Sequence, residues 1–411
     1  MNKKAIALFL SIVISFFACS CGDKQKENTG YQMAESKEFI QTTVWDDRMM
    51  EAYLRPYWYS REIYNETVVF VGEESETTLI YTPTTIDSVR NYGLDVQYEE
   101  GVDYTIQGNK IRRLKGSKMP YWEVDEYFLK VPNVSGVTIG TNASKLEFQF
   151  DETRYLRYGE GDMFTSKQVA VTYRHNEVYD GPVPVQQAEK LQNFLQKVEN
   201  KETVNIMVYG DSVAVGCNAS GTVYGGNVSP YMPDSANIVK QFLQKKGVDV
   251  CLENQAVGGW KVQDCINAYQ SKIANKQIDL LILRIGGNDG DSNEIKFLFE
   301  MNKLLNMFFA EYPNANVILQ TPELPNQQSL WTLNLDKIEG WTYSAMEEHG
   351  YAEQIAIAPV QSFTNWMEGR GKRTRDWLAN NINHGNDFVI RLYAQMLLTT
   401  MFGLEYMEIF E

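Results

Sequence analysis

Residues 204–216 read Val-Asn-Ile-Met-Val-Tyr-Gly-Asp-Ser-Val-Ala-Val-Gly, and this stretch decides the fold. Residues 204–209 are a largely apolar, β-branched run that Gly210 ends, so Ser212 is expected just past the carboxyl end of a strand. Open α/β sheets place their chemistry at such ends. The segment is not the Gly-x-Ser-x-Gly elbow, because Asp211 and Val213 flank the serine and position 214 is Ala. Taken alone, Gly-Asp-Ser reads equally as a turn with a capping Ser.

Working outward, residues 248–252 form a second short strand, followed by Asn254-Gln-Ala-Val-Gly-Gly-Trp260. Paired glycines let backbone approach a ligand with no Cβ in the way. Residues 280–285 read as a buried strand, apart from Arg284, that stops at Gly286-Gly287-Asn288-Asp289. Further strands are expected at 317–319 and 355–358. Helices are marked by Leu298, Met301, Leu305 and Phe308, and again by Phe388, Leu392, Met396 and Leu397. This alternation predicts a doubly wound, flavodoxin-like three-layer α/β domain over 183–411, with a five-stranded parallel sheet.

Histidine is scarce, with only His175, His349 and His384. His175 ends a strand-like run and His349 a polar helix. His384 alone lies in an Asn/Gly-rich turn before an apolar helix, where a base on a loop belongs. Ser212, the 254–260 loop, Asn288 and His384 thus fall in one order along the chain. Together they supply a nucleophilic hydroxyl, a base and donors for a developing oxyanion.

In that order and spacing, these segments resemble blocks I, II, III and V of the SGNH (GDSL) hydrolase family, over roughly residues 203 to 402. The resemblance implies that Ser212 is the nucleophile and His384 the general base. It implies that the Ser212 N–H, the Gly259 N–H and the Asn288 side-chain amide hold the oxyanion. The family usually carries an Asp three residues before the His, but here that position is Asn381. The group orienting His384 therefore stays open among Asn381, Asp376, Asp387 and a backbone carbonyl. Trp260, next to Gly259, is either a wall of the acyl or sugar pocket or a ring packed on the sheet.

The amino terminus, Met-Asn-Lys-Lys followed by a short apolar run and Phe-Phe-Ala-Cys-Ser-Cys-Gly, has the layout of an export signal. Small residues before a Cys resemble a bacterial lipoprotein signal over 1–19, with Cys19 or Cys21 lipidated. A polar tether over 20–42 follows. Cys217, Cys251 and Cys265 do not make a disulfide framework and are expected as buried thiols. No Cys/His cluster has metal-ligand spacing and no glycine loop is followed by Lys and Ser/Thr, so neither metal nor nucleotide cofactor is implied. A net charge of −15 argues against nucleic acid as a partner and against electrostatic attraction to anionic lipid, leaving an acyl anchor as the expected route to the membrane.

Residues 43–182 show many short β-type runs between turns, which predicts a jelly-roll-like β-sandwich. Its Tyr57-Trp58-Tyr59 and Tyr121-Trp122 are expected to fill a core or a seam rather than form a sugar platform. An amino-terminal sandwich before an SGNH domain resembles bacterial carbohydrate esterases that remove acetyl groups from polysaccharides. The expected protein is an exported, lipid-anchored serine esterase of the cell envelope acting on acylated carbohydrate. The alternatives are a lipase-like hydrolase of small acyl esters and a non-catalytic glycan-binding lipoprotein.

Overall fold

A computed structural model describes residues 33–130, 154–329, 333–347 and 349–410, and the backbone of residues 137–138. The expected signal, Cys19, Cys21, the first part of the tether and the strand-like run at 145–150 lie outside the described residues. Among the described residues, no helix is long and apolar enough to cross a membrane.

In the amino-terminal part the strands are β1 (Glu62–Val69), β2 (Glu76–Thr78), β3 (Thr85–Asn91), β4 (Tyr104–Gln107), β5 (Lys110–Arg113), β6 (Phe128–Leu129), β7 (Val137–Thr138), β8 (Tyr155–Arg157) and β9 (Gln168–Arg174). They divide into three antiparallel three-stranded sheets, ordered β1-β9-β3, β2-β5-β4 and β6-β8-β7. A helix at Asp47–Leu54, which the β-rich pattern did not suggest, precedes them.

The second half holds β10 (Val204–Gly210), β11 (Val250–Asn254), β12 (Leu280–Arg284), β13 (Asn316–Gln320) and β14 (Ile355–Ala358). They form one sheet in the order β11-β10-β12-β13-β14, with every neighbouring pair parallel. Alternate residues serve opposite faces. Ile206, Leu280, Ile282 and Ile318 join one core with the helices Ser235–Lys245 and Asp387–Phe402. Met207, Tyr209, Leu281, Leu283 and Val317 join another with the helices Val262–Lys272, Glu294–Glu311 and Ile338–Glu347. Both faces are dry, as a doubly wound sheet requires. Cys217 and Cys265 are buried, but Cys251 is exposed because β11 is the edge strand.

The two halves share a core. Tyr57 stacks on Phe388 with ring centroids 4.7 Å apart, and Trp58 meets Phe363 at 5.7 Å. Trp122 packs on Phe164 at 4.9 Å within the amino-terminal part. These rings fill a seam and a core.

Polar ties concentrate on the segment leading to His384. Lys372 and Glu66, both fully buried, pair at 2.6 Å. Asp376 accepts from the Val69 N–H at 2.6 Å and the Thr77 hydroxyl at 3.0 Å. The Asn386 amide donates to Thr67 Oγ1 and Gln168 Oε1, each at 2.8 Å. A loop that would otherwise be mobile is thereby fastened to β1 and β9.

Candidate active site

β10 ends at Gly210, where the chain turns so tightly over β12 that an added Cβ would lie 1.7 Å from the Arg284 carbonyl oxygen. Only glycine fits there. Asp211 then caps a short helix, Ser212–Val215, its Oδ1 accepting from the Val213 N–H at 3.0 Å. Ser212 is the first helical residue, so its own N–H has no acceptor within the helix.

Arg284 lies beneath this turn, fully buried. It donates to Asp211 Oδ2, and at 2.6 Å to Glu323 Oε2, which also accepts from the Tyr393 hydroxyl. Burial disfavours its charge, but the two carboxylates outweigh that and hold the guanidinium firmly ionised. Gly287 closes over it, since an added Cβ would sit 2.8 Å from Nη1. The charged residue that interrupts the β12 pattern thus ties the Ser212 turn to Glu323, past the end of β13.

The 254–260 loop is fixed from two sides. Asn254 donates to the Ala214 carbonyl at 2.7 Å and accepts from the Ala256 N–H at 3.0 Å. The Asn288 amide donates to the Trp260 carbonyl at 3.0 Å, and the second hydrogen of that amide is not used by this bond. Gly258 lies against Ser212, with an added Cβ 3.7 Å from its Cβ. Gly259 has φ +81° and faces open space. The Trp260 ring stands edge-on to Tyr209 at 5.8 Å, half-buried on the sheet side. Asp289, buried beside these groups, has its carboxyl pushed up to about 7, by burial first and then by the Asp211 charge.

His384 reaches this point from the turn before the final helix. Its Nε2 is 2.8 Å from Ser212 Oγ. Its Nδ1 is 2.8 Å from Asn218 Oδ1 and 3.2 Å from Glu160 Oε2. Both neighbours of Nδ1 are acceptors, so the ring hydrogen belongs there and Nε2 is left to accept from the serine hydroxyl. The other histidines differ. His175 is stacked on Tyr81 at 3.7 Å, and burial pushes it down to about 4; burial also lowers His349.

None of the three side chains considered for orienting His384 does so. Asn381 is fully buried and turned away at φ +68°. Its oxygen accepts from the Tyr127 hydroxyl at 2.8 Å and from Asn326 at 2.9 Å, while its amide donates to the Arg157 carbonyl at 2.9 Å. An Asp there would lose that donor and set a carboxylate against a carbonyl oxygen. Asp376 is committed to β1 and β2. Asp387 accepts from the Ser220 N–H at 2.9 Å, and burial raises its carboxyl to about 6. Asn386, not Asp387, caps the final helix. The groups that do face Nδ1 were not found by sequence reasoning. Asn218 carries no spacing signal beyond its nearness to Ser212, and Glu160 belongs to the amino-terminal part.

Fold and site define a class: a three-layer α/β protein with a Ser–His pair at the carboxyl end of a parallel sheet, which resembles the SGNH hydrolases. No protein-family model matches the chain, and no curated protein matches it. Among solved structures it is similar to a two-domain esterase (CEX) active on acetylated mannans, at 17% identity and a TM-score of 0.42, covering 56% of this chain and 53% of that one. It is similar to the acetyl xylan esterase AlAXEase at 16% identity and a TM-score of 0.39, covering 48% and 98%. It is also similar to a lipase/acylhydrolase from Enterococcus faecalis at 18% and 0.37, covering 47% and 93%. The chain spans about half the length of the two-domain esterase that it matches. At these identities the likeness is one of fold, and the chemistry lies in the geometry of the site.

Proposed function

We propose that the chain is a serine esterase acting through an acyl-enzyme, with acetylated carbohydrate as its substrate class. The observation that carries the reading is the 2.8 Å contact of Ser212 Oγ with a His384 nitrogen whose partner nitrogen holds the ring hydrogen. His384 Nε2 takes the Ser212 proton as Oγ attacks the ester carbonyl carbon. The tetrahedral oxyanion is held by the Ser212 N–H, the Gly259 N–H and the Asn288 amide. His384 returns the proton to the leaving alcohol, then takes one from water as the water oxygen attacks the acyl carbon; the acyl–Oγ bond breaks, the acid leaves and His384 Nε2 gives its proton back to Ser212 Oγ. The carbohydrate part of the reading rests on the resemblance to esterases that carry a β-domain before an SGNH domain.

A panel of acetylated sugars, longer acyl esters and aryl acetates, assayed for released acid, tests it. Preference for long acyl chains would turn the reading to a lipase-like hydrolase. Glycan binding with no turnover of any ester would overturn catalysis. Asn288→Ala is expected to lower kcat by about 10²–10³ with little change in KM, the usual cost of one oxyanion donor. An effect confined to KM would make Asn288 a ground-state contact instead.

We infer in addition that the protein is exported and lipid-anchored in the cell envelope through Cys19 or Cys21. Metabolic labelling with a fatty acid is expected to mark the full chain and to be lost in the variant Cys19→Ser or Cys21→Ser. Labelling that survives both together would refute the anchor.

A further inference from the structure

We propose that Glu160, supplied by the amino-terminal part, is the positioning carboxylate of the catalytic base, and that it shares the Nδ1 hydrogen of His384 with Asn218. The inference rests on the serine esterase reading for its role in turnover, but the arrangement stands on geometry. The family's usual acid position is Asn381, which faces away, so a carboxylate reaches the imidazole from a different part of the chain.

Glu160 is held in place by three groups. Its Oε1 accepts from the Tyr158 hydroxyl at 2.7 Å and the Asn380 amide at 3.1 Å, while Oε2 faces His384. Asn380 in turn gathers the N–H groups of Ile382, Asn383 and His384, each at 3.0 Å, onto its own oxygen. The carboxylate is therefore keyed to the very turn that carries the histidine. Asn218 has a separate task. Its oxygen meets Nδ1 at the shorter distance, and its amide points to the Gly161 and Tyr224 carbonyls, so it fixes the tautomer without adding charge.

The other ionisable groups around the imidazole are neutral or engaged. Burial pushes the Cys217 thiol up to about 12 and raises the Tyr158 hydroxyl well above its ordinary range. Asp211 is paired with Arg284, and Asp387 accepts from the Ser220 N–H. Among the described residues, Glu160 is thus the anion placed to stabilise the imidazolium formed during attack. Desolvation of its covered part opposes ionisation, but 42% of the side chain is exposed, and the hydrogen bond and charge of His384, with the bonds from Asn380 and Tyr158, hold its carboxyl down to about 2.

Removing the carboxylate lowers kcat, because the transition-state imidazolium loses its counter-charge. Glu160→Gln keeps shape and an acceptor; it is expected to lower kcat about tenfold with KM little changed. Glu160→Asp should recover part of the loss. Asn218→Ala should lower kcat as well. A second measurement does not need turnover: the NMR resonance of the His384 Nδ1 hydrogen in the full chain, with the wild type set against Glu160→Gln. A displaced resonance in the variant supports the proposal even if no ester is cleaved, in which case only the esterase reading falls. Active enzyme with unchanged kcat and an unchanged Nδ1 resonance in Glu160→Gln would overturn it.

Discussion

A chain beginning at residue 183 is expected to lose cooperative folding and to hydrolyse no ester, small aryl acetates included. Sequence boundaries make the α/β part look self-sufficient, yet the segment that carries His384 is fastened in large part to what would be removed. Without β1, Lys372 loses both Glu66 and the Thr67 carbonyl, together with the cover that buries it. Asp376 would lose the Val69 N–H and the Thr77 hydroxyl, and Arg391 would lose Tyr57 and the Tyr64 carbonyl. Phe363 and Phe388 would lose their aromatic cover. Against a typical domain stability of about 5–15 kcal/mol these losses are decisive. Circular dichroism melts and aryl acetate rates of a 183–411 chain check this. A sharp melt with rates near those of the full chain would show that the amino-terminal part serves only polymer binding.

Ser212→Ala is expected to lower kcat on the best ester of the panel by a factor on the order of 10⁶, the scale seen when a serine nucleophile is removed from a unit that acts together. The fold should survive, because the Ser212 hydroxyl makes one side-chain bond, to His384 Nε2, and a single bond of this kind contributes about 1 kcal/mol. Thermal midpoints of the two proteins should therefore nearly coincide while turnover differs. Mass spectrometry after rapid quenching should find an acyl adduct on the wild type and none on the variant. A variant that retained a tenth of wild-type activity would refute covalent catalysis at Ser212.

The parallel sheet was legible because its signals are local. β10 to β14 are short apolar runs separated by helix-period segments, and Gly210 and Gly286 mark where two of them stop. Ser212 and His384 stood out for the same reason, each lying at an element boundary among few competitors. In the amino-terminal part, β2, β6, β7 and β8 are two or three residues long. Alternation over so few positions cannot tell one sandwich from three small sheets.

By itself, the sequence determined the class of the second half, the order of its strands along the chain and the identity of the Ser–His pair, since each follows from neighbours in the chain. Only the tertiary structure decided which groups face His384 Nδ1. Asn381 stands at the expected spacing, but its left-handed backbone and its bonds to Tyr127, Asn326 and Arg157 turn it away. Glu160 and Asn218 reach Nδ1 instead because shared burial and hydrogen bonding bring the β8–β9 connection against the His384 turn. A contact made by two surfaces far apart in the chain leaves no period or spacing in either of them.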